Sequence, residues 1–226
     1  MFGGLDYEGR SFLNDIWTSS DGMSWSKVGT AAWPPRGAAA TVVYRDRLWL
    51  FGGARHIASD RSTDEFLNDV WVSDDGIAWS LVTDAAPWPA RDDAGVVVFH
   101  DELYLVGGQG RADVWRSTDG KAWTQVTAEA GWAARHSPGR VVFDGKLWVF
   151  GGFSGPSTNA LNDVWYSSDG VAWSRQAEHA PWGPRDPVSL VFGDKVWIYS
   201  GKHTGGTDSW GGDLWQMTAV PGASPP

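Results

Sequence analysis

The chain has 226 residues, 27 acidic against 18 basic side chains and a net charge of -9, so it is long enough for one large or two small domains. That balance argues against nucleic acid, whose phosphates need a Lys/Arg-rich surface. The absence of cysteine excludes disulfides, thiolate metal sites and thiol nucleophiles, and no apolar run approaches the roughly 18 residues needed to cross a bilayer.

From the N-terminus onward, the opening Met1-Phe2-Gly3-Gly4 lacks the charged and apolar regions of a secretory signal. It matches the strand ends Trp49-Leu50-Phe51-Gly52-Gly53 and Trp148-Val149-Phe150-Gly151-Gly152, and reads as a cut through a longer array. The compartment is left open by this, an extracytoplasmic one being expected if the chain is part of a longer protein.

A block then recurs. Its first Trp falls at Trp17, Trp71, Trp115, Trp165 and Trp215, with intervals of 54, 44, 50 and 50 residues, a period that signals propellers or solenoids. The Trp of Asp-Gly-x-x-Trp follows eight residues later at Trp25, Trp79, Trp123 and Trp173, and the Arg of Trp-x-x-Arg 11 or 12 residues after that, at Arg36, Arg91, Arg135 and Arg185. Each Arg precedes the second Gly of a terminal pair (Gly53, Gly108, Gly152, Gly201; Ser-Gly in the last) by 16 or 17 residues. Only the stretch from that Gly to the next Trp varies, between 7 and 18 residues. A constant frame therefore carries one adjustable loop per repeat.

Within a repeat, residues 39–44 and 48–51 are apolar, β-branched or aromatic and flank the polar turn Arg45-Asp46-Arg47, which predicts two strands, A and B. Residues 69–73 and 78–83 flank Asp74-Asp75-Gly76, where Asp-Gly favours the positive φ of a tight hairpin; these are strands C and D. Residues 96–106 with 113–126, and 141–150 with 163–175, read the same way. Four antiparallel strands in about fifty residues make a propeller blade, and 17 Trp residues suit sheets packed face to face. The Trp residues of Asp-Val-Trp, Asp-Gly-x-x-Trp and strand B are expected in the core between sheets.

The Gly-Gly that ends strand B, the aromatic just before it and the later Trp resemble kelch repeats, and the resemblance covers residues 1 to about 217. It implies an all-β, kelch-type β-propeller. About five blades are covered, around 1–28, 36–83, 91–127, 135–177 and 185–217, with the first and last incomplete. Kelch rings of six or seven blades make the chain read as a fragment of one, with a propeller domain over 1–218 and an unpacked Pro/Gly-rich tail over 219–226. Ser19-Ser20-Asp21-Gly22-Met23-Ser24-Trp25 is similar to the Asp-box of sialidase propellers, one residue shorter, and is likewise a C-to-D hairpin.

Strand parity puts the B-to-C and D-to-A loops on one face, opposite the Asp-Gly hairpins. The variable segments 5–12, 54–66, 109–111, 153–160 and 202–211 share that face, where binding tends to reside; His56, Asp60, Arg61, Asp64, His203, Asp208 and Trp210 are its exposed candidates. The kelch resemblance makes strand A innermost, so Arg36, Arg91, Arg135 and Arg185 would ring the channel mouth. Guanidinium forks there suit carboxylates or acidic peptides; the competing reading, favoured by the perfect repetition, has each Arg tie down a loop through backbone carbonyls. Trp33, Trp88, Trp132 and Trp182, three residues before each Arg, are expected to be partly exposed and able to stack on a sugar or peptide.

Chemistry is sparse. The histidines (His56, His100, His136, His179, His203) show no short metal-ligand spacing, and the Tyr–Cys cross-link of galactose oxidase-like propellers is impossible without Cys. Asp15, Asp69, Asp113, Asp163 and Asp213 recur too regularly for a catalytic role and are expected to cap turns. The reading is a binding module for a protein or glycan that needs no cofactor or metal, with self-association through open blade edges. The alternatives are an enzyme on anionic sugars, similar to kelch-type sialic acid mutarotases, with the Arg ring holding the carboxylate, and a purely structural array.

Overall fold

The computed structural model describes residues 1–6, 11–56, 64–155, 159–199, 201 and 212–219; Asp60, Arg61, His203, Asp208, Trp210 and residues 220–226 of the tail lie outside them. No helix occurs among the described residues, and their strands pair antiparallel, in keeping with the all-β kelch-type propeller expected. The chain divides into two compact units, Met1–Val96 with Ser117–Trp123, and Val97–Arg116 with Thr124–Pro226.

The first unit holds two sheets. Strands β1 (Phe2–Asp6), β2 (Ser11–Thr18) and β3 (Ser26–Thr30) pair in that order, as do β4 (Ala40–Tyr44), β5 (Arg47–His56), β6 (Asp64–Ser73) and β7 (Ser80–Thr83). The second set is a complete A-B-C-D repeat. Its A-to-B turn is tight because Arg45 and Asp46 both take positive φ, 50° and 57°, as a two-residue hairpin between twisted strands demands. Strand B runs on to His56, beyond the expected end at Phe51, because the Gly-Gly pair forms a bulge instead of a stop: the register with β6 slips between Phe51 and Gly53 and then resumes to His56↔Asp64. Gly52 and Gly53 take φ of 53° and 100°, and a Cβ on Gly53 would lie 2.7 Å from the Gly37 carbonyl oxygen, so only glycine fits.

Strands β8 (Gly95–Phe99), β9 (Glu102–Gly108), β10 (Arg111–Ser117), β11 (Thr124–Thr127), β12 (Arg135–His136), β13 (Gly139–Phe143), β14 (Lys146–Ser154), β15 (Asn159–Ser167) and β16 (Ser174–Ala177) are linked by pairing in the order β16-β15-β14-β12-β10-β9-β8, with β11 paired to β10 and β13 to β14. The two-residue β12, absent from the sequence reading, bridges β10 and β14. Strands β17 (Val188–Phe192), β18 (Lys195–Tyr199) and β19 (Leu214–Thr218) form a three-stranded sheet. The expected A, B and C of the last repeat are thus present.

The cores sit between successive sheets. In the first unit Ile16, Ala31, Trp33, Leu50 and Trp79 cluster, with Phe2, Ala39, Leu48 and Trp71 around them. In the second, Val141, Trp148, Phe150, Val164, Ala180, Trp182, Val196 and Ile198 form one cluster, and Tyr104, Val106, Val114, Trp132, Leu147 and Val149 belong to another. Alternate residues of β14 thus serve two cores, Leu147 and Val149 one, Trp148 and Phe150 the other. That division follows from the two-residue period of a strand buried on both faces.

Candidate functional site

The residues that recur with fixed spacing converge on one staple per repeat. Arg36 is buried; its Nη1 donates to Asp69 Oδ1 at 2.6 Å and its Nη2 to Asp69 Oδ2 at 2.8 Å. Nη1 also donates to the Gly52 carbonyl at 2.9 Å and Nε to that of Pro34 at 3.3 Å. One guanidinium therefore joins the entry of strand A, the bulge on B and the start of C. Arg135 does the same with Asp163, at 2.7 Å on both branches, with Gly151 at 2.8 Å and Ala133 at 2.9 Å. Arg185 donates through both terminal nitrogens to Asp213 and through Nε to Gly183; this contact holds the Asp213 carboxyl far below the usual carboxylate range, helped by the Trp215 indole N–H. Arg91 is buried as well, its Nε donating to the Pro89 carbonyl at 3.0 Å.

The backbone of the same Arg residues grips the preceding repeat. Arg36 N donates to Leu13 O while Gly4 N donates to Arg36 O; Arg91 is tied likewise to Leu67 and Gly53, and Arg185 to Leu161 and Gly152. At Arg36 and Arg185 the main chain of the Trp-x-x-Arg segment thus bonds to one sheet and the guanidinium to the next.

These contacts correct three expectations. Trp33 and Trp88 are each 1% exposed, and Trp132 and Trp182 are also buried; none is available to stack on a ligand, because each ring is wedged between sheets. Trp33, for example, meets Trp79 edge-on at 6.1 Å. The recurring Asp does not cap a turn: Asp69, Asp163 and Asp213 each accept the Arg fork on one side and an indole N–H two residues on, from Trp71, Trp165 and Trp215. The first Trp of each block, expected in the core, is only half-buried, while the Trp expected to be partly exposed is buried. As for the Arg ring, the described partners of Arg36, Arg135 and Arg185 are Asp carboxylates and backbone carbonyls, which leaves their forks occupied.

A role that the sequence reading did not assign belongs to the Asn before the Asp. Asn14 Nδ2 donates to the carbonyls of Ala31 and Trp33, Asn68 to those of Ala86 and Trp88, and Asn162 to those of Ala180 and Trp182. The signal was the recurrence of Asn itself in the Asn-Asp-(Val/Ile)-Trp block. Its two amide protons satisfy two carbonyls that the turn into the Trp leaves without strand partners.

At the opposite ends of the sheets, each Asp-Gly hairpin is closed by one Ser and one Asp. Ser19 Oγ accepts from Gly22 N at 2.8 Å, and Asp21 Oδ1 accepts from Met23 N and Ser24 N, both at 2.8 Å. Asp75, Asp119 and Asp169 repeat the pattern. The backbone N–H groups of Ser24 and Met23, with the Ser19 hydroxyl, lower the Asp21 pKa to about 2. Asp75 and Asp169 are lowered chiefly by the amides of Ile77 and Val171; in Asp119 desolvation opposes the effect, and the amides of Ala122 and Lys121 overcome it. These carboxylates are locked into turns, as the Asp-box likeness implied.

Of the loop candidates, His56 and Asp64 stand opposite each other at the ends of β5 and β6. Residues 134–166 match the Kelch motif. The chain carries a kelch repeat. The match runs from the residue before Arg135 to Tyr166, so it contains the Arg135–Asp163 staple, the Gly151-Gly152 bulge and strands β13 and β14. The matched residues thus cover strands A, B and nearly all of C of that repeat. No curated protein matches the sequence.

Proposed function

We propose that this kelch-repeat chain is a binding module that recognises a protein or glycan through the B-to-C and D-to-A loops, without catalysis. The observation that carries the reading is the commitment of the recurrent polar groups to structure. Arg36, Arg135 and Arg185, the Asp residues they fork onto and the recurrent Asn residues hold strands together, so ligand recognition falls to the segments that vary, 5–12, 54–66, 109–111, 153–160 and 202–211, with His56, His203 and Trp210 among their residues. The same observation weighs against the anionic-sugar enzyme, whose substrate carboxylate would have to displace Asp69, Asp163 or Asp213 from a bidentate Arg. Such an exchange trades one charge-assisted fork for another and leaves the displaced Asp without its partner.

The test is a panel of immobilised glycans and displayed peptides, probed with the chain and with two variants. In one variant residues 57–63 are replaced by a Gly/Ser segment of equal length; in the other the Asp21-Gly22 hairpin tip is altered. Loss of binding in the first alone, at unchanged melting temperature, supports the loop face. Binding that survives replacement of all five variable segments would remove it.

A further inference from the structure

Of the variable segments, 109–111 is a tight hairpin. Gln109 and Gly110 take φ of 47° and 64°, the positive values of a two-residue turn, and strand β10 starts at once with Arg111. Leu13, Leu67 and Leu161 stand at the corresponding place, four residues before Trp17, Trp71 and Trp165, and the carbonyl of each accepts from the backbone N–H of the next recurrent Arg. Arg111 lies opposite Arg135 in the same way. An Arg therefore replaces an apolar residue at a fixed position of the frame.

No partner among the described residues uses its charge. Arg111 is half-buried, its Nε is shut off from solvent with no acceptor, and it pairs with no carboxylate among those residues. The chain has an acidic excess, and the partly exposed Arg47, Arg55, Arg116 and Arg175 each find a carboxylate. An enclosed donor without an acceptor is costly, so Leu at this position would serve the fold better than the Arg present.

Arg111 also heads a row of polar side chains on one sheet. The bridging strand β12 sets Arg111 opposite Arg135, Arg135 opposite Ser154 and Ser154 opposite Asn159, and directly opposed residues share a face. Neighbouring strands lie about 4.8 Å apart, so the row runs about 14 Å from Arg111 to Asn159. Arg135 is committed to Asp163, whereas Ser154 is half-buried and Asn159 exposed. The row holds no aromatic ring for a sugar to stack on, which favours an extended peptide. We propose that the terminal nitrogens of Arg111 fork onto the carboxylate of a Glu or Asp in such a peptide, while Ser154 and Asn159 hydrogen-bond to it farther along the row. This deepens the loop-face reading, on which it rests, by naming a carboxylate as the group recognised.

The probes are sodium acetate, sodium glucuronate and the capped hexapeptide Glu-Gly-Ser-Gly-Ser-Gly with its Gln counterpart, each titrated into the intact chain at fixed ionic strength while the arginine Nε–H resonances are followed by NMR. The Arg111 resonance should shift saturably with acetate and not with chloride, while those of Arg36, Arg135 and Arg185 stay in place. The Glu peptide should bind about tenfold or more tighter than the Gln peptide, the scale of a hydrogen bond to a charged group. Arg111→Leu, which installs the residue found at Leu13, Leu67 and Leu161, should abolish that preference without lowering the melting temperature, and Asn159→Ala should weaken the Glu peptide while leaving acetate unchanged. Equal affinity of the two peptides, a preference that survives Arg111→Leu, or tighter binding of glucuronate than of the Glu peptide would each overturn the proposal. Panel ligands that are lost on replacement of residues 57–63 but indifferent to Arg111→Leu would leave the loop face standing and remove the carboxylate assignment alone.

Discussion

Trp25 and Trp79 hold the same place in their repeats, four residues after the Asp of an Asp-Gly hairpin, and both donate their indole N–H to the hairpin glycine at 3.2 Å. Yet Trp25 is 45% exposed and Trp79 only 7%. Trp79 is packed against Phe2 at 5.1 Å and Trp33 at 6.1 Å, both from the preceding repeat, whereas Trp25 meets no other ring among the described residues. Local sequence therefore sets where the ring points, and the neighbouring repeat sets whether it is buried. The same contrast separates Asp69, held by Arg36, from Asp15. In a repeat array each unit completes its neighbour, so the energetic worth of a motif depends on its position in the array.

The largest expected effect tests that contrast directly. Trp79→Ala should destabilise by about 3 to 5 kcal/mol, the cost of truncating a buried aromatic, and Trp25→Ala by about 1 kcal/mol or less. Equal shifts in the denaturant midpoint would mean that the hairpin bond to glycine, which both rings make, dominates over packing.

Next comes the staple. Arg135 is fully buried and breaking a buried pair leaves its partner uncompensated, so Arg135→Ala should cost about 3 to 5 kcal/mol. Asp15→Ala, which removes a carboxylate that no Arg among the described residues holds, should cost about 1 kcal/mol, the scale of one hydrogen bond. Chemical unfolding of the two variants side by side checks the difference, and a costlier Asp15→Ala would show that the Trp N–H bond is the main use of the recurring Asp. Asn162→Ala ranks below Arg135→Ala, at about 1 to 3 kcal/mol, because it leaves the Ala180 and Trp182 carbonyls without their donor. An unchanged melting curve would mean that water replaces the amide.

The smallest effect concerns pH. Because the folded pKa of Asp21 lies near 2, below the ordinary carboxylate value, ionisation favours the closed hairpin: its contribution is complete above about pH 4 and is lost as pH falls through about 2. The carboxyl carbon resonance of Asp21 should titrate with a midpoint near 2 and move together with the Met23 and Ser24 amides. A midpoint near 4 would show the turn to be open in solution.

Strand identity was legible in residue type, because alternation, β-branching and Asp-Gly turns act within a few residues: the strands of 39–44, 48–51, 69–73 and 78–83 appear with boundaries shifted by a few residues. The candidate site was less legible. Arg36 and Asp69 are 33 residues apart, and nothing local to either says that the other will meet it, so regular recurrence was compatible with a ligand-facing ring until the fold brought the two together. The placing of Trp33 and Trp88 failed for a related reason. Their place three residues before an Arg expected at the channel mouth suggested exposure, but Trp33 lies in the core between two sheets, where a wide ring is driven inward by the apolar surface on both sides.

What the chain determined by itself is the repeat: its period, its four strands, its hairpins and the confinement of variation to one set of loops, all written in interactions of short range. What only the tertiary structure decided is the use of each recurring side chain. An Arg, an Asp or a Trp carries the same chemistry in every repeat, but partners brought close by neighbouring strands and sheets determine whether that chemistry is buried in a staple, packed in a core or left open to a ligand.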